Sequence, residues 1–150
     1  MPFRIFLVED NPSDAQLISL SLQFQRIASE ITRFDDGLDV LNTFFPEGDS
    51  SLVPMPDLIL MDLNMPKVSG LELLRKLRSS TRFKQVPIAI CTSSNSPEDR
   101  QEAMSLGIDG YIAKPIELKS FLEGVGAAVR DILAANCPAP LQVKSNKSGR

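Results

Sequence analysis

The 150-residue sequence contains no histidine. It therefore cannot itself supply a Ser-His-Asp or Cys-His catalytic site, a histidine metal ligand or a phosphohistidine, which excludes several large classes of enzyme. Cysteine is also scarce, with Cys91 inside a predicted strand and Cys137 in a segment rich in proline and alanine. Two cysteines in such unlike settings are too few for a structural zinc site, and we interpret them as one core thiol and one exposed thiol.

Long apolar runs are missing as well, since no stretch approaches the ~20 residues that a membrane-spanning helix needs. The first residues, MPFRIFLVEDN, lack the basic region and the cleavage site of a signal peptide, so the sequence predicts a cytoplasmic protein. The net charge of -3 and the pI near 5.0 give no overall attraction to nucleic acid. A length of 150 residues fits one domain with its own hydrophobic core.

Apolar runs alternate with amphipathic stretches along the chain, which predicts an α/β fold. The predicted strands are 3–8, 29–34, 56–62, 86–92 and 109–113, and the predicted helices are 13–27, 37–45, 70–80, 97–106 and 117–134. Five such repeats imply a parallel sheet with helices on both faces. We expect residues 1–135 to form this domain, residues 46–56 to form a long loop, and residues 136–150 to be a disordered tail.

Polar side chains stand at the ends of four predicted strands. Glu9 and Asp10 follow the first strand, Asp62 ends the third, Thr92 and Ser93 end the fourth, and Lys114 follows the fifth. Ligands of an open parallel α/β sheet bind beyond the carboxyl ends of its strands, so we expect these side chains to converge on one rim.

The acids at this rim indicate a metal site. Three carboxylates close together would each have a raised pKa unless a positive charge lay among them. Mg²⁺ binds a few carboxylate and carbonyl oxygens and keeps several waters. The predicted ligands are Glu9, Asp10 and Asp62, directly or through water, with the backbone carbonyl of Asn64.

The remaining polar groups favour phosphoryl chemistry. Lys114 supplies a compact positive charge, and Thr92 and Ser93 supply hydroxyl groups, which together match a dianionic phosphoryl group. A carboxylate nucleophile, a metal that neutralises the transferred charge and a lysine make up an aspartyl-phosphate site. Asp62 is the predicted nucleophile, because it ends the central strand with the other acids beside it.

The motifs LVEDN, PDLILMDLNMPKVSG, CTSS and DGYIAKP resemble, in this order, those of response-regulator receiver domains from two-component systems, over residues 3–134. The resemblance implies a doubly wound (βα)5 fold, flavodoxin-like or CheY-like, with a five-stranded parallel sheet of order 2-1-3-4-5. It assigns metal binding to Glu9 and Asp10, phosphoryl acceptance to Asp62, phosphoryl binding to Lys114, and switch roles to Thr92 and Tyr111. It also implies a cis peptide bond between Lys114 and Pro115.

The resemblance implies a mechanism too. A sensor histidine kinase or a phosphotransfer protein donates a phosphoryl group to Asp62 with Mg²⁺ present. Thr92 then moves toward the phosphoryl group, and Tyr111 turns into the space that Thr92 leaves. This changes the face made by the fourth helix, fifth strand and fifth helix, where a homodimer could also form. Such a protein signals, and catalyses only its own phosphorylation and dephosphorylation.

Some features refine the resemblance. Ser69 stands where the family usually has an acid, and it can still cap a helix that starts near Gly70. The loop 46–56 and the motif VEDNPSDAQLI are similar to receivers that partner phytochrome-type kinases. No output domain follows, so we expect a stand-alone regulator that contacts an unidentified downstream protein, and neither nucleic acid nor a membrane.

Three alternatives remain open. The first is a docking module that works without phosphorylation. The second is a Mg²⁺-dependent phosphatase with an aspartate nucleophile, similar to the haloacid dehalogenase group, which would need a second acid where this chain has Asn64. The third is a nucleotide or flavin binding module, but the first βα turn, VEDNPSD, has no glycine-rich loop for a phosphate.

Overall fold

Strands and helices alternate along the chain in the computed structural model, which describes residues 2–45 and 54–136. The strands are β1 (Phe3–Val8), β2 (Ser29–Phe34), β3 (Leu58–Met61), β4 (Ile88–Thr92) and β5 (Gly110–Ala113). The helices are α1 (Pro12–Phe24), α2 (Gly37–Phe44), α3 (Gly70–Ser79), α4 (Pro97–Leu106) and α5 (Leu118–Asn136). All ten predicted elements are therefore present, and the differences lie at their ends.

The five strands form one parallel sheet in the order β2-β1-β3-β4-β5, which confirms the predicted doubly wound topology. β1 pairs with β3 so that Val8 lies opposite Met61, the last residue of each strand. The residues that follow these two strands therefore emerge side by side. All four residues of β3 are buried, as expected for a central strand covered on both faces.

Two apolar layers enclose the sheet. Side chains alternate along β1, so that Phe3, Ile5 and Leu7 pack in the layer that contains α1 and α5. Phe6 and Val8 point to the opposite layer, which contains residues of α2, α3 and α4. The carboxyl edge of the sheet lies between these layers, so side chains at the strand ends are held on a rigid base.

Local signals in the sequence explain where α1 begins and ends. Asn11 caps the helix, because its side-chain oxygen accepts hydrogen bonds from the backbone N–H groups of Ser13 and Asp14. The helix ends at Phe24, three residues before the predicted end. Arg26 adopts a left-handed backbone with φ of 59° and closes a Schellman motif, in which Arg26 N–H bonds Gln23 and the next N–H bonds Leu22.

Two predicted segments fall largely outside the described residues. The predicted loop 46–56 is described only from residue 54 onward, and the predicted tail is described only at Asn136. Asn136 is the last residue of α5, so the helix runs two residues beyond its predicted end at 134, and its side chain donates to the carbonyl of Ile132. Within residues 2–45 and 54–136, no helix is long and apolar enough to cross a membrane.

Candidate functional site

Glu9, Asp10 and Asp62 form an acidic cluster at the carboxyl edge of the sheet. Because β1 and β3 are neighbours in register, the acids that follow them emerge together. Each acid offers one carboxylate oxygen, and the three oxygens lie within 4.8 Å of one another. Glu9 and Asp62 are buried, whereas Asp10 is exposed. The structure thus brings together the three acids that the sequence assigned to one metal site.

Lys114 reaches this cluster from the end of β5. Its Nζ lies 2.7 Å from Oε1 of Glu9 and 2.9 Å from Oδ2 of Asp62. A third contact, also 2.9 Å long, joins Nζ to Oδ2 of Asp14. The Lys114 side chain is only 5% exposed, and an ammonium group has three N–H donors, so each donor has a carboxylate partner.

Burial and ion pairing shift the pKa values of this site. Burial raises the pKa of Glu9, and this effect exceeds the lowering of that pKa by the hydrogen bond and the positive charge of Lys114. Burial by itself would lower the pKa of Lys114, but hydrogen bonds to Asp14, Glu9 and Asp62 more than compensate and raise it above the ordinary lysine value. Lys114 therefore stays charged at physiological pH and provides a fixed positive charge among the acids.

Asp14 also contacts Lys114, although its position in the sequence did not predict this contact. It lies in the first turn of α1, and a carboxylate at that place is also typical of an ordinary helix start. One signal could have identified it. The helix that follows the first strand starts at the same rim as the strand's carboxyl end, so acids in its first turn can face the site.

The side chains of the predicted switch residues Thr92 and Tyr111 both form hydrogen bonds with the backbone of Ser94. Thr92 is fully buried, and its Oγ1 accepts a hydrogen bond of 3.2 Å from the backbone N–H of Ser94. The Tyr111 hydroxyl donates a long bond of 3.5 Å to the carbonyl of the same residue. The Arg100 guanidinium lies 4.9 Å from the centre of the Tyr111 ring. Burial, with smaller effects from nearby acids, raises the pKa of Tyr111.

Ser93 and Asn64 also lie at this rim. Ser93 is exposed and borders a cavity of about 300 Å³, which is also lined by Asp14 and Lys114. The backbone N–H of Asn64 donates a 3.1 Å hydrogen bond to Oδ1 of Asp62, which orients that carboxylate. The role of the Asn64 carbonyl as a metal ligand stays a prediction.

The expected cis bond between Lys114 and Pro115 is wrong for this structure, because the described residues contain no cis peptide bond. The trans form is the ordinary state of a bond that precedes proline, favoured by roughly 0.5–1 kcal/mol. Lys114 makes its three carboxylate contacts with the bond in this form.

The start of α3 packs tightly against the strand end that carries Asp62. Ser69 caps α3 in a capping box with Glu72, as the sequence predicted for a serine at this position. The N–H of Gly70 donates to the carbonyl of Leu63. A Cβ atom at Gly70 would lie 2.4 Å from the Asp62 carbonyl oxygen, so only glycine permits this approach.

These groups define what the site can do chemically. Three carboxylate oxygens within 4.8 Å of one another form a donor set that a hard divalent cation prefers, and the exposed Asp10 leaves one side of it open to water. Asp62 presents one oxygen to Lys114 and the other to a backbone N–H. A carboxylate fixed in this way beside a lysine can act as a nucleophile toward an electrophile such as phosphorus.

Sequence comparisons identify the family of this chain. Residues 5–125 match the family model described as Response regulator receiver domain. The response regulator Rcp1 of Synechocystis sp. is 32% identical over 124 residues, which cover 83% of this chain and 84% of Rcp1.

Solved structures show the same similarity. The phosphorylated cyanobacterial phytochrome response regulator RcpA has a TM-score of 0.81 at 30% identity, covering 90% of this chain and 96% of RcpA. The Mn²⁺-bound form of Rcp1 has a TM-score of 0.76 at 31% identity, covering 84% of this chain and 91% of that one. This chain is therefore a member of the response regulator receiver domain family of two-component signalling.

Proposed function

We propose that this protein accepts a phosphoryl group on Asp62 from a sensor histidine kinase or a phosphotransfer protein, with Mg²⁺ bound. One observation carries the proposal: Lys114 Nζ bonds Asp62 and Glu9 beside a cluster of three carboxylate oxygens. A nucleophile, a donor set for a cation and a fixed positive charge thus share one rim. These are the parts that transfer of a phosphoryl group to a carboxylate requires.

A phosphohistidine donor would lie outside this sequence, because these 150 residues contain no histidine. In the proposed step, a carboxylate oxygen of Asp62 forms a bond to phosphorus while the bond from phosphorus to the donor's imidazole nitrogen breaks. The nitrogen keeps the electron pair of the broken bond and takes up a proton. Lys114 and the hydroxyl groups of Thr92 and Ser93 are the groups that would bind the phosphoryl oxygens.

Glu9, Asp10 and Asp62 would hold the metal, with the Asn64 carbonyl as a further ligand. A bound Mg²⁺ supplies positive charge that offsets both the acids and the transferred phosphoryl group. The relative Rcp1 has been crystallised with Mn²⁺, another hard divalent cation, which supports a metal of this class. The choice of Mg²⁺ rests on the preference of that ion for carboxylate oxygens and water.

The proposed output is a change of partner binding through Thr92 and Tyr111. If the Thr92 hydroxyl turned toward the phosphoryl group, it would release the Ser94 N–H, and the Tyr111 hydroxyl contacts the carbonyl of that residue. The face made by α4, β5 and α5 would then change its shape. The protein would act as a signalling component, and its only catalysis would be its own phosphorylation and dephosphorylation.

The similarity to Rcp1 and RcpA supports a phytochrome-type kinase as the donor, because RcpA is a phytochrome response regulator. We place this exchange in the cytoplasm, where ATP is available to charge a kinase histidine. A phosphatase of the haloacid dehalogenase type has less support. Such an enzyme needs a second acid where Asn64 lies, and the Asn64 backbone N–H donates to the proposed nucleophile.

The proposal is tested by intact mass after incubation with acetyl phosphate and Mg²⁺. The wild-type protein should gain one phosphoryl group, and neither Asp62→Asn nor a sample treated with a chelator should gain it. Asp57→Asn is the matched control, because Asp57 lies just before the other end of β3 and accepts a hydrogen bond from Arg4. It should be phosphorylated like the wild type. A folded wild-type protein that binds Mg²⁺ and gains no mass would favour the docking module.

A further inference from the structure

Asp14 is the one partner of Lys114 that the proposed transfer leaves without a role. The three donors of the ammonium group go to Glu9, Asp62 and Asp14. Glu9 is a proposed metal ligand and Asp62 the proposed acceptor, whereas Asp14 reaches Lys114 from a helix. Its contact of 2.9 Å is as short as that of Asp62.

The position of Asp14 is fixed by the start of α1. Its backbone N–H donates to the side chain of the cap residue Asn11, and Pro12 begins the helix. The Asp14 side chain is 29% exposed, compared with 1% for Glu9 and 6% for Asp62. Asp14 is thus the most accessible of the three partners, and it lines the cavity of about 300 Å³ that leads to Lys114.

We infer that Asp14 is a positioning residue that holds the Lys114 ammonium on the α1 side and withholds it from an incoming phosphoryl group. This inference rests on the proposed phosphorylation of Asp62. Lys114 must give one of its N–H donors to a phosphoryl oxygen, and every donor is already bonded to a carboxylate. The negative charge of Asp14 also repels a dianionic donor as it approaches. Both effects slow phosphorylation.

The size of the effect follows from the geometry. The Asp14 and Asp62 oxygens both contact the same Nζ at 2.9 Å, so they lie within about 6 Å of each other. A dianion that contacts Asp62 would lie at a comparable distance from Asp14. One negative charge at about 6 Å from a dianion, screened as in water, weakens binding of the dianion roughly tenfold. Removing the charge of Asp14 should therefore lower the KM for a dianionic donor by about that factor.

The test compares phosphorylation kinetics of the full chain with acetyl phosphate at saturating Mg²⁺, measured by intact mass. Asp14→Asn keeps the shape of the side chain and a hydrogen-bonding oxygen but loses the charge. Its KM should fall roughly tenfold at low ionic strength while kcat stays near the wild-type value. The difference should shrink in 1 M salt, where the screening length is about 3 Å.

Two further variants separate charge from folding. Asp14→Glu restores the charge and should return KM most of the way to the wild-type value. Asp39→Asn makes the same chemical change in the first turn of α2, in a different cluster that contains Lys67, and should leave both constants at wild-type values. Urea unfolding of each variant checks that the fold is retained.

An Asp14→Asn protein with unchanged KM, or with slower phosphorylation, would overturn the inference, because Asp14 would then be neutral or would help Lys114. In that case the wild-type protein is still phosphorylated, so the proposed function stands. If the wild-type protein itself gains no phosphoryl group, the proposed function fails and the role of Asp14 fails with it.

Discussion

Gly70→Ala should destabilise the protein and slow phosphorylation, because an added methyl group would meet backbone atoms that carry Asp62. The new Cβ would lie 2.4 Å from the Asp62 carbonyl oxygen and 2.6 Å from the Leu63 Cα. Ordinary Cβ contacts begin at 3.4 Å, so this part of the backbone must move by about 1 Å. No side-chain rotation can relieve a contact between Cβ and a backbone atom.

The expected cost is about 1–3 kcal/mol in the free energy of unfolding, as for other overpacked sites. With a urea dependence of about 2 kcal/mol per molar, the midpoint should fall by roughly 0.5–1.5 M. Movement of Asp62 by about 1 Å should also slow phosphorylation by acetyl phosphate by up to about 100-fold. Urea unfolding and intact mass measure the two effects on the same samples.

Gly124→Ala is the matched control for this substitution. Gly124 lies inside α5, and a Cβ there would have no atom within 4 Å, apart from its chain neighbours and nearby helix backbone. Alanine has a higher helix propensity than glycine, so this variant should be more stable than the wild type by roughly 0.5–1 kcal/mol. The same chemical change is therefore expected to have opposite signs at the two positions. A Gly70→Ala protein with the wild-type midpoint and rate would refute the tight contact between α3 and Asp62.

Other predictions concern thiol chemistry, tyrosine ionisation and helix capping. Cys91 is buried, and burial raises its pKa to about 12, so a Cys137→Ser variant should react with iodoacetamide only after unfolding, as measured by mass. Tyr111 is the only tyrosine, and tryptophan is absent, so absorbance reports its ionisation alone. Burial raises the pKa of Tyr111, so its phenolate should form above pH 10. The stability that Tyr111 contributes below pH 10 should be lost as the pH rises through the pKa of the folded state. Ser69→Ala removes the capping box with Glu72 and should cost about 1 kcal/mol by urea unfolding.

The order of elements could be predicted from the sequence because each βα repeat carries its own pattern. β1 and β2 have the predicted bounds, 3–8 and 29–34. β3 lacks residues 56, 57 and 62 of the predicted strand 56–62, although Asp57 bonds Arg4 through its backbone and side chain. The end of α1 was missed because the left-handed turn falls on Arg26, where glycine is the usual signal.

Part of the site could also be predicted, because the carboxyl ends of parallel strands meet at one edge. Glu9, Asp62 and Lys114 all follow strands, so the topology alone places them together. Asp14 follows no strand. Its contact with Lys114 joins residues 100 positions apart and depends on how α1 lies against the loop after β5. The hydrophobic pattern of a single segment cannot predict a contact between residues so far apart in the sequence.

The contacts of Tyr111 bear on the proposed switch. The hydroxyl bond to Ser94, at 3.5 Å, is at the outer limit of a hydrogen bond and contributes little. The contact of the ring with the exposed Arg100 is a cation–π interaction, worth about 0.5–1 kcal/mol at such sites. The ring also packs against the apolar layer that contains α2, α3 and α4. The proposed switch therefore requires a ligand that binds a second orientation of the ring more tightly than the first. Thr92 accepts a hydrogen bond from the Ser94 N–H, and Tyr111 donates one to the Ser94 carbonyl, so in the proposed switch a movement of Thr92 would act on the residue that the Tyr111 hydroxyl contacts.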